Sequence, residues 1–396
     1  MTQKIREEQK NHGAQRQHTT KIQDAHVLRS EIKAQLAEFF AEQQTVAAAY
    51  SMEFSRLWSL AREHAQGGKL MRPVLMMQTV EALLASETGS TSRSAVKSAA
   101  PTDALDHTTL LRLAVAIEIL HYSFLLHDDV IDGDLFRRHK PNLIGALRST
   151  QGRPGDDGES SARSLHWARA GGLLMGDLLL AATHQIVARA RVPHETRLRL
   201  LDLLEHTVFE SMAGELTDVG LSDHMIAPEL QTVLTMSAHK TATYSFELPL
   251  RAAAILTGAS GETEGVLTTV GRHLGLAFQL QDDYLSTFGD PREHGKDAFS
   301  DLREGKHTAI IAFARTTNEW SQIEQDFGDP ELTPERGEEL KNLLSECGAE
   351  RFMRELVEEQ TAALLDVCAG EGSSSIPAAA RNLLLGLASR LEGRCT

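Results

Sequence analysis

Asp128, Asp129 and Asp132 stand at the end of the apolar stretch ILHYSFLLHDDVID, and Arg137 and Arg138 follow at once. On a helix, residues four apart share a face one turn from each other, so Asp128 and Asp132 bring two carboxylates together. Like charges at that spacing repel unless a cation sits between them. Flanked by Leu120, Phe124, Leu125, Val130 and Ile131, they are costly without a partner. Hard divalent ions such as Mg²⁺ take carboxylate oxygens together with water and phosphate oxygens. The pair therefore reads as a metal platform that a phosphorylated ligand completes. A second acidic pair, Asp282 and Asp283, closes another apolar stretch in FQLQDDYLSTFGD. Two such helices facing each other across a cavity would hold several ions between them.

Basic residues complete the pattern. Lys69 and Arg72 lie three apart in GGKLMRP, as on one helix-like face, and Pro73 restricts the backbone of Arg72. Lys240 and Thr241 occur in SAHKTATYSF, and Lys296 and Lys306 in HGKDAFSDLREGKHT. Any one of these cations alone reads as a surface charge. Together they supply what a site gathering metal ions and several phosphates requires.

The elements that must position these groups are helices. With 396 residues, 41% hydrophobic and only 5% aromatic, and with Ala and Leu abundant and Pro scarce, the composition predicts an all-α domain of enzyme size. Leu28, Ile32, Leu36 and Phe40 recur every four residues, as one face of an amphipathic helix does, and similar faces continue almost to the end. Residues 1–20 are polar and unpatterned and are expected to form a disordered tail ahead of a single domain over 21–396. Two stretches rich in Gly, Ser, Thr and Pro, 85–109 and 148–164, read as loops between helices, and Asp156 and Asp157 belong to the second of them.

Charge and cysteine usage exclude other classes. The net charge of −15 opposes nucleic acid or anionic lipid as a general partner, so an anionic ligand must find local basic residues. Cys347, Cys368 and Cys395 form neither a CxxC pair nor a disulfide framework, which fits a reducing cytoplasm. The N-terminus has no apolar signal region, and no run of about 18 uncharged apolar residues is evident, so no transmembrane segment is expected.

In this order and spacing, GGKxxRP, DDxxD followed by RR, KT, and FQxxDD followed by GKxxxxDLxxGK resemble the trans-isoprenyl diphosphate synthases, the polyprenyl synthetase family, from about residue 60 to 310. The resemblance implies the isoprenoid synthase fold, with helices around a deep central cavity. Such chains usually form a homodimer and use Mg²⁺, three ions per site, to join isopentenyl diphosphate to an allylic diphosphate. Asp128 and Asp132, with Asp282 opposite and Asp129 and Asp283 in support, would hold the ions. Arg137, Lys240, Thr241, Gln279 and Lys296 would bind the allylic diphosphate, with Lys306 beside them and Lys240, Thr241 and Arg137 closest to the chemistry. Lys69, Arg72, His121 and Arg138 would hold isopentenyl diphosphate. His121 is seven residues before Asp128, two turns away on the same face. A histidine satisfied within the core is its plainer reading.

Product length would be set below Asp128. A helical turn rises about 5.4 Å, comparable to one isoprene unit, so Phe124 would form the cavity floor and the small Ser123 would leave space beside it. A C20 product, geranylgeranyl diphosphate, is expected, with C15 farnesyl diphosphate second. The chain departs from the family's pattern in two places: Ser286 stands where many members have a third aspartate, and Glu215 where Gln is frequent. DDYLSTFGD also fits the metal triad of class I terpene cyclases, through Asp282, Ser286 and Asp290. A cyclase binds one diphosphate and has no use for a second basic pocket. An HD-type phosphohydrolase centred on His127 and Asp128 would leave the Lys and Arg motifs unexplained, and a non-catalytic partner subunit would lack the acidic motifs.

Overall fold

A computed structural model describes residues 23–85, 105–137, 140–149, 158–289, 299–370 and 375–392. The tail expected over 1–20, together with Arg138, Lys296 and Asp290, lies outside the described residues. The chain runs through α1 (Ala25–Ala47), α2 (Met52–Ala65), α3 (Met71–Leu84) and α4 (His107–Ile131). A two-residue hairpin follows, β1 (Phe136–Arg137) with β2 (Lys140–Pro141), pairing Arg137 with Lys140. Next come α5 (Leu143–Ser149), α6 (Gly158–Ala188), α7 (His194–Ser222) and α8 (Leu230–Ser237), then a π-helix (Ala238–Glu247), α9 (Leu248–Thr257) and α10 (Gly261–Phe288). The C-terminal third holds α11 (Ser300–Arg303), α12 (Ala309–Ala314), α13 (Trp320–Ile323), α14 (Pro334–Glu346), α15 (Ala349–Ala369) and α16 (Ala378–Glu392). Apart from the hairpin, the regular structure is helical, as the composition predicts.

The helices form for local reasons. Asp24 caps α1 by accepting from the amide of His26, and Leu28, Ile32, Leu36 and Phe40 are all buried, so the four-residue period is the core face. Asp106 caps α4 by accepting from the amides of Thr108 and Thr109. α4 is apolar all round and is enclosed by α3, α5, α6 and α1, with α6 its most extensive neighbour. The helix bearing the first acidic motif is therefore a core helix, and its last two turns, from Phe124 to Ile131, reach the cavity that also holds Asp128.

Some boundaries differ from expectation. α6 begins at Gly158, so the Gly- and Ser-rich stretch read as a loop through 164 is helical from there, and the loop ahead of α4 ends before His107. Ser and Gly mark turns by competing locally for backbone groups, but packing of α6 on α4 and α5 overrides that preference. Two helices reach the length and hydropathy of a membrane span, although neither holds an uncharged apolar run of 18 residues: Arg112 and Glu118 interrupt α4, and Arg163, Arg169 and Asp177 interrupt α6. In α4 that window is 72% buried inside the protein, which identifies a core helix; in α6 it is 33% buried.

Candidate active site

The end of α4 gathers the first acidic motif. Asp132 is the C-cap of the helix, and its amide donates to the carbonyl of Asp128 at 2.9 Å, keeping the two residues one turn apart. Arg137 arrives from β1 and places Nη2 at 3.2 Å from Asp128 Oδ2 and 2.7 Å from Asp129 Oδ1. Asp129 is buried against that guanidinium, so in this arrangement it orients Arg137. Burial pushes Asp128 up, but Lys240 and Arg137 together hold it below the ordinary carboxylate range. Burial and the Asp128 charge instead raise Asp132 to about 6.

Lys240 is delivered by the π-helix. Its ammonium lies 3.1 Å from Asp128 Oδ1, 3.0 Å from Glu215 Oε2 and 2.5 Å from Asp218 Oδ2, the last two on α7. These carboxylates outweigh burial and raise the lysine above its usual value. The close approach of the π-helix depends on two glycines. A Cβ on Gly214 of α7 would lie 2.8 Å from Lys240 Cα, and one on Gly275 of α10 would overlap Ala242.

The second acidic motif ends α10. Gln279 Nε2 donates to Asp283 Oδ1 at 2.8 Å, and burial, with Asp301 nearby, raises Asp283 to about 7. Lys306 joins the two motifs, because its charge acts on Asp128, Asp132 and Asp283 alike. Burial lowers Lys306, but Asp301, Asp218 and Asp283 outweigh that and hold it above its usual value. Asp282 is half-buried beside Asp283. The two acid-bearing helix ends thus share one electrostatic neighbourhood. Ser286 is buried on α10, and Asp290, the third member of a cyclase-type triad, is outside the described residues.

The GGKLMRP motif folds differently from its spacing. Leu70 has φ 52°, a left-handed residue that caps α3, so Lys69 and Arg72 do not share a helix face. Lys69 is exposed, and its carbonyl accepts from Arg29 Nε at 3.2 Å. Pro73 falls in the first turn of α3, where its missing N–H costs nothing, and Arg72 is helical. The Arg72 guanidinium reaches Ser245 Oγ at 2.7 Å and lies over the Tyr244 ring at 4.7 Å. The His121 ring stacks on the same tyrosine, with centroids 5.6 Å apart. Tyr244 also meets Phe124 edge-on at 5.3 Å, so it links the Arg72 and His121 group to the residue expected to form the cavity floor.

A cavity of about 310 Å³ opens beside Asp128, Lys240 and Thr241 and is walled by Phe124, Val130, Tyr244 and Met212. Ser123 does not line it; its hydroxyl donates to the carbonyl of Gly176 at 2.8 Å and ties α4 to α6. Phe124 faces the cavity, while one to three turns further along α4 Leu120, Ile117 and Leu113 line a separate apolar void of about 30 Å³. A larger cleft of about 620 Å³ between α1, α4 and α6 contains none of the motif residues, so chemistry and not volume locates the site.

His127 pairs with Asp177 at 3.1 Å, and among the described residues no three His, Cys, Asp or Glu close into a protein-only metal cage. The sequence reading missed Asp218, Tyr244, Ser245 and Asp301. Their signal lay in or beside the motifs: Tyr244 and Ser245 stand three and four residues after Thr241, Asp218 lies one turn after Glu215, and Asp301 is the aspartate of DLxxGK.

The polyprenyl synthetase family model matches residues 55–344 of the chain. A geranylgeranyl diphosphate synthase of Methanosarcina mazei is 29% identical over 290 residues, 73% of this chain and 76% of that protein. A (2E,6E)-farnesyl diphosphate synthase of Mycobacterium bovis is 31% identical over 256 residues, 62% of this chain and 56% of that protein. The fold is similar to that of geranylgeranyl pyrophosphate synthase from Corynebacterium glutamicum, solved with isoprenyl diphosphate and magnesium. That likeness has a TM-score of 0.80 at 24% identity and covers 94% of this chain and 100% of that one.

Proposed function

Because the chain belongs to the polyprenyl synthetase family, we propose that it joins isopentenyl diphosphate to an allylic diphosphate as a trans-prenyltransferase, with geranylgeranyl diphosphate as its product. The observation that carries this is the meeting of Asp128, Lys240 and Arg137 at the mouth of an apolar cavity. Acids are there for metal ions, bases for phosphates, and apolar walls for a hydrocarbon.

The donor set fits a divalent ion. Asp132 is raised first by burial and then by the nearby Asp128 charge, and a cation relieves that repulsion. Asp128, Asp132 and Asp282 would hold Mg²⁺, three ions in our assignment. Bound there, Mg²⁺ supplies neutralisation of the charge that gathers on the leaving diphosphate. Lys240, Arg137 and Lys306 add fixed positive charge at the same end. Arg72 and His121 would hold isopentenyl diphosphate, with Lys69 at the rim. The allylic C–O bond breaks, the double bond of isopentenyl diphosphate captures the cation to form the new C–C bond, and a proton is lost to restore a double bond. Val130, Phe124 and Met212 exclude the water that would quench the cation. The direct test is incubation of the purified chain with Mg²⁺, isopentenyl diphosphate and C5, C10 or C15 allylic starters. Prenyl diphosphates should form; no product with any starter would sink the reading.

C20 rather than C15 rests on Phe124 at the floor with an apolar void beyond it. Phe124→Ala is expected to lengthen the main product by at least one C5 unit, as read by chromatography of the dephosphorylated alcohols. An unchanged distribution would remove Phe124 from length control.

We further assign a homodimer. α7 exposes Phe209 at 77% and Leu216 at 73%, with Met212 between them, and α6 exposes Trp167, Leu173 and Leu174. Phe209, Met212 and Leu216 form one helical stripe, and Leu173 and Met212 also line the cavity, so a partner there would seal its outer wall. Sedimentation should give twice the chain mass, and a monomer at micromolar concentration would refute the assignment. A cytoplasmic setting is consistent with the free thiols of Cys347 and Cys368.

A further inference from the structure

We propose that Glu215 is a positioning residue that makes the capture of an allylic diphosphate by Lys240 conditional on a divalent cation at Asp128. The inference rests on the reading above of Lys240 as a diphosphate ligand and Asp128 as a metal ligand.

An ammonium group has three N–H donors. Lys240 Nζ stands 2.5 Å from Asp218, to which it donates a hydrogen bond, and 3.0 Å from Glu215 and 3.1 Å from Asp128 as ion pairs, so three carboxylates crowd one ammonium. A phosphate oxygen must displace one of these carboxylates to come as close, and their negative charge repels it until one has let go. Asp128 is the member that can leave. It stands on α4 beside Asp132, where a cation would draw it, while Glu215 and Asp218 lie one turn apart on α7 and continue to hold the lysine. A cation that takes Asp128 therefore clears one side of the ammonium for the ligand.

Glu215 sets how firm this gate is. Its second oxygen, Oε1, is buried without a hydrogen-bond partner among the described residues, so no other donor competes with Lys240 for the carboxylate. A glutamine, frequent at this position in the family, would accept one bond from the ammonium but bring no charge. The ammonium is charged opposite either residue, but glutamine offers it only a dipole where glutamate offers a full negative charge, so glutamine would hold the lysine more weakly.

The probe is a thiolo analogue of geranyl diphosphate that cannot ionise, titrated calorimetrically in EDTA and in saturating Mg²⁺. The wild-type chain should bind much more tightly with Mg²⁺. Glu215→Gln should tighten binding in EDTA by roughly fivefold and change binding in Mg²⁺ by less than about twofold, so the metal-to-EDTA ratio falls. In a Lys240→Met background, Glu215→Gln should leave the EDTA affinity unchanged. Equal tightening in both conditions, or tightening that persists without Lys240, would show a general charge effect and overturn the inference. Should Lys240→Met fail to fold, Glu215→Asp takes its place. It keeps the charge but shortens the reach, so it should loosen Lys240 and tighten EDTA binding, and wild-type affinity would overturn the inference. Failure of the wild-type chain to bind the analogue even with Mg²⁺ would instead overturn the proposed function itself.

Discussion

Asp128→Asn is expected to lower kcat/KM for prenyl transfer by about 10³-fold, equivalent to about 4 kcal/mol of lost transition-state stabilisation. Among the described residues Asp128 is the one carboxylate that meets both Lys240 and Arg137, and asparagine keeps its volume while removing the charge a metal would bind. The fold should tolerate the change, because Lys240 retains Glu215 and Asp218 and Arg137 retains Asp129. Steady-state kinetics with labelled isopentenyl diphosphate, together with thermal unfolding, separate the two effects. A loss smaller than tenfold with unchanged unfolding would show that Asp128 is not part of the metal platform.

Gly214→Val should damage both stability and activity. Its Cβ would press on the backbone of Lys240, and neither α7 nor the π-helix can yield by rotating a side chain. Overpacking of this kind typically costs about 1–3 kcal/mol, and backbone on both sides places this site at the upper end. Lys240 would be displaced from its three carboxylates, so activity should fall at temperatures where the variant is still folded. Gly265→Ala is the internal control: nothing lies within 4 Å of a Cβ there, and removing a glycine from the interior of α10 should be neutral or stabilise by about 0.5–1 kcal/mol. Denaturant unfolding of the two variants checks both signs, and equal stabilities would sink the packing argument.

How much of this was legible in the sequence differs from residue to residue. The core face of α1 and the acidic end of α4 could be read directly, because a repeat near four residues and two aspartates four apart after an apolar run are local signals. Spacing misled at Lys69 and Arg72, since one left-handed residue, Leu70, cancels any argument from helical period, and nothing in the letters GGKLMRP announces it. Ser123 is small as expected, yet it faces α6, because the neighbour that claims its hydroxyl lies 53 residues away in the chain. The triple hold on Lys240 was invisible for the same reason: Asp128 and the α7 acids meet it only through packing of α4, α7 and the π-helix. The resemblance to a family supplied roles for single residues. It could not say which of them hold one another.

The π-helix bears on how such a chain can change over generations. Bonding from i to i+5 stores more backbone in each turn than the ordinary i to i+4 pattern, and ten consecutive residues share that slack here. Exchange of one letter for another leaves the slack in place. Loss of a single residue would let the coil tighten and rotate everything beyond the gap, so Lys240 and Tyr244 could no longer keep their separate appointments with α7 and α3. Selection can therefore respell only those positions of this stretch whose side chains serve neither the site nor its packing, and cannot shorten it.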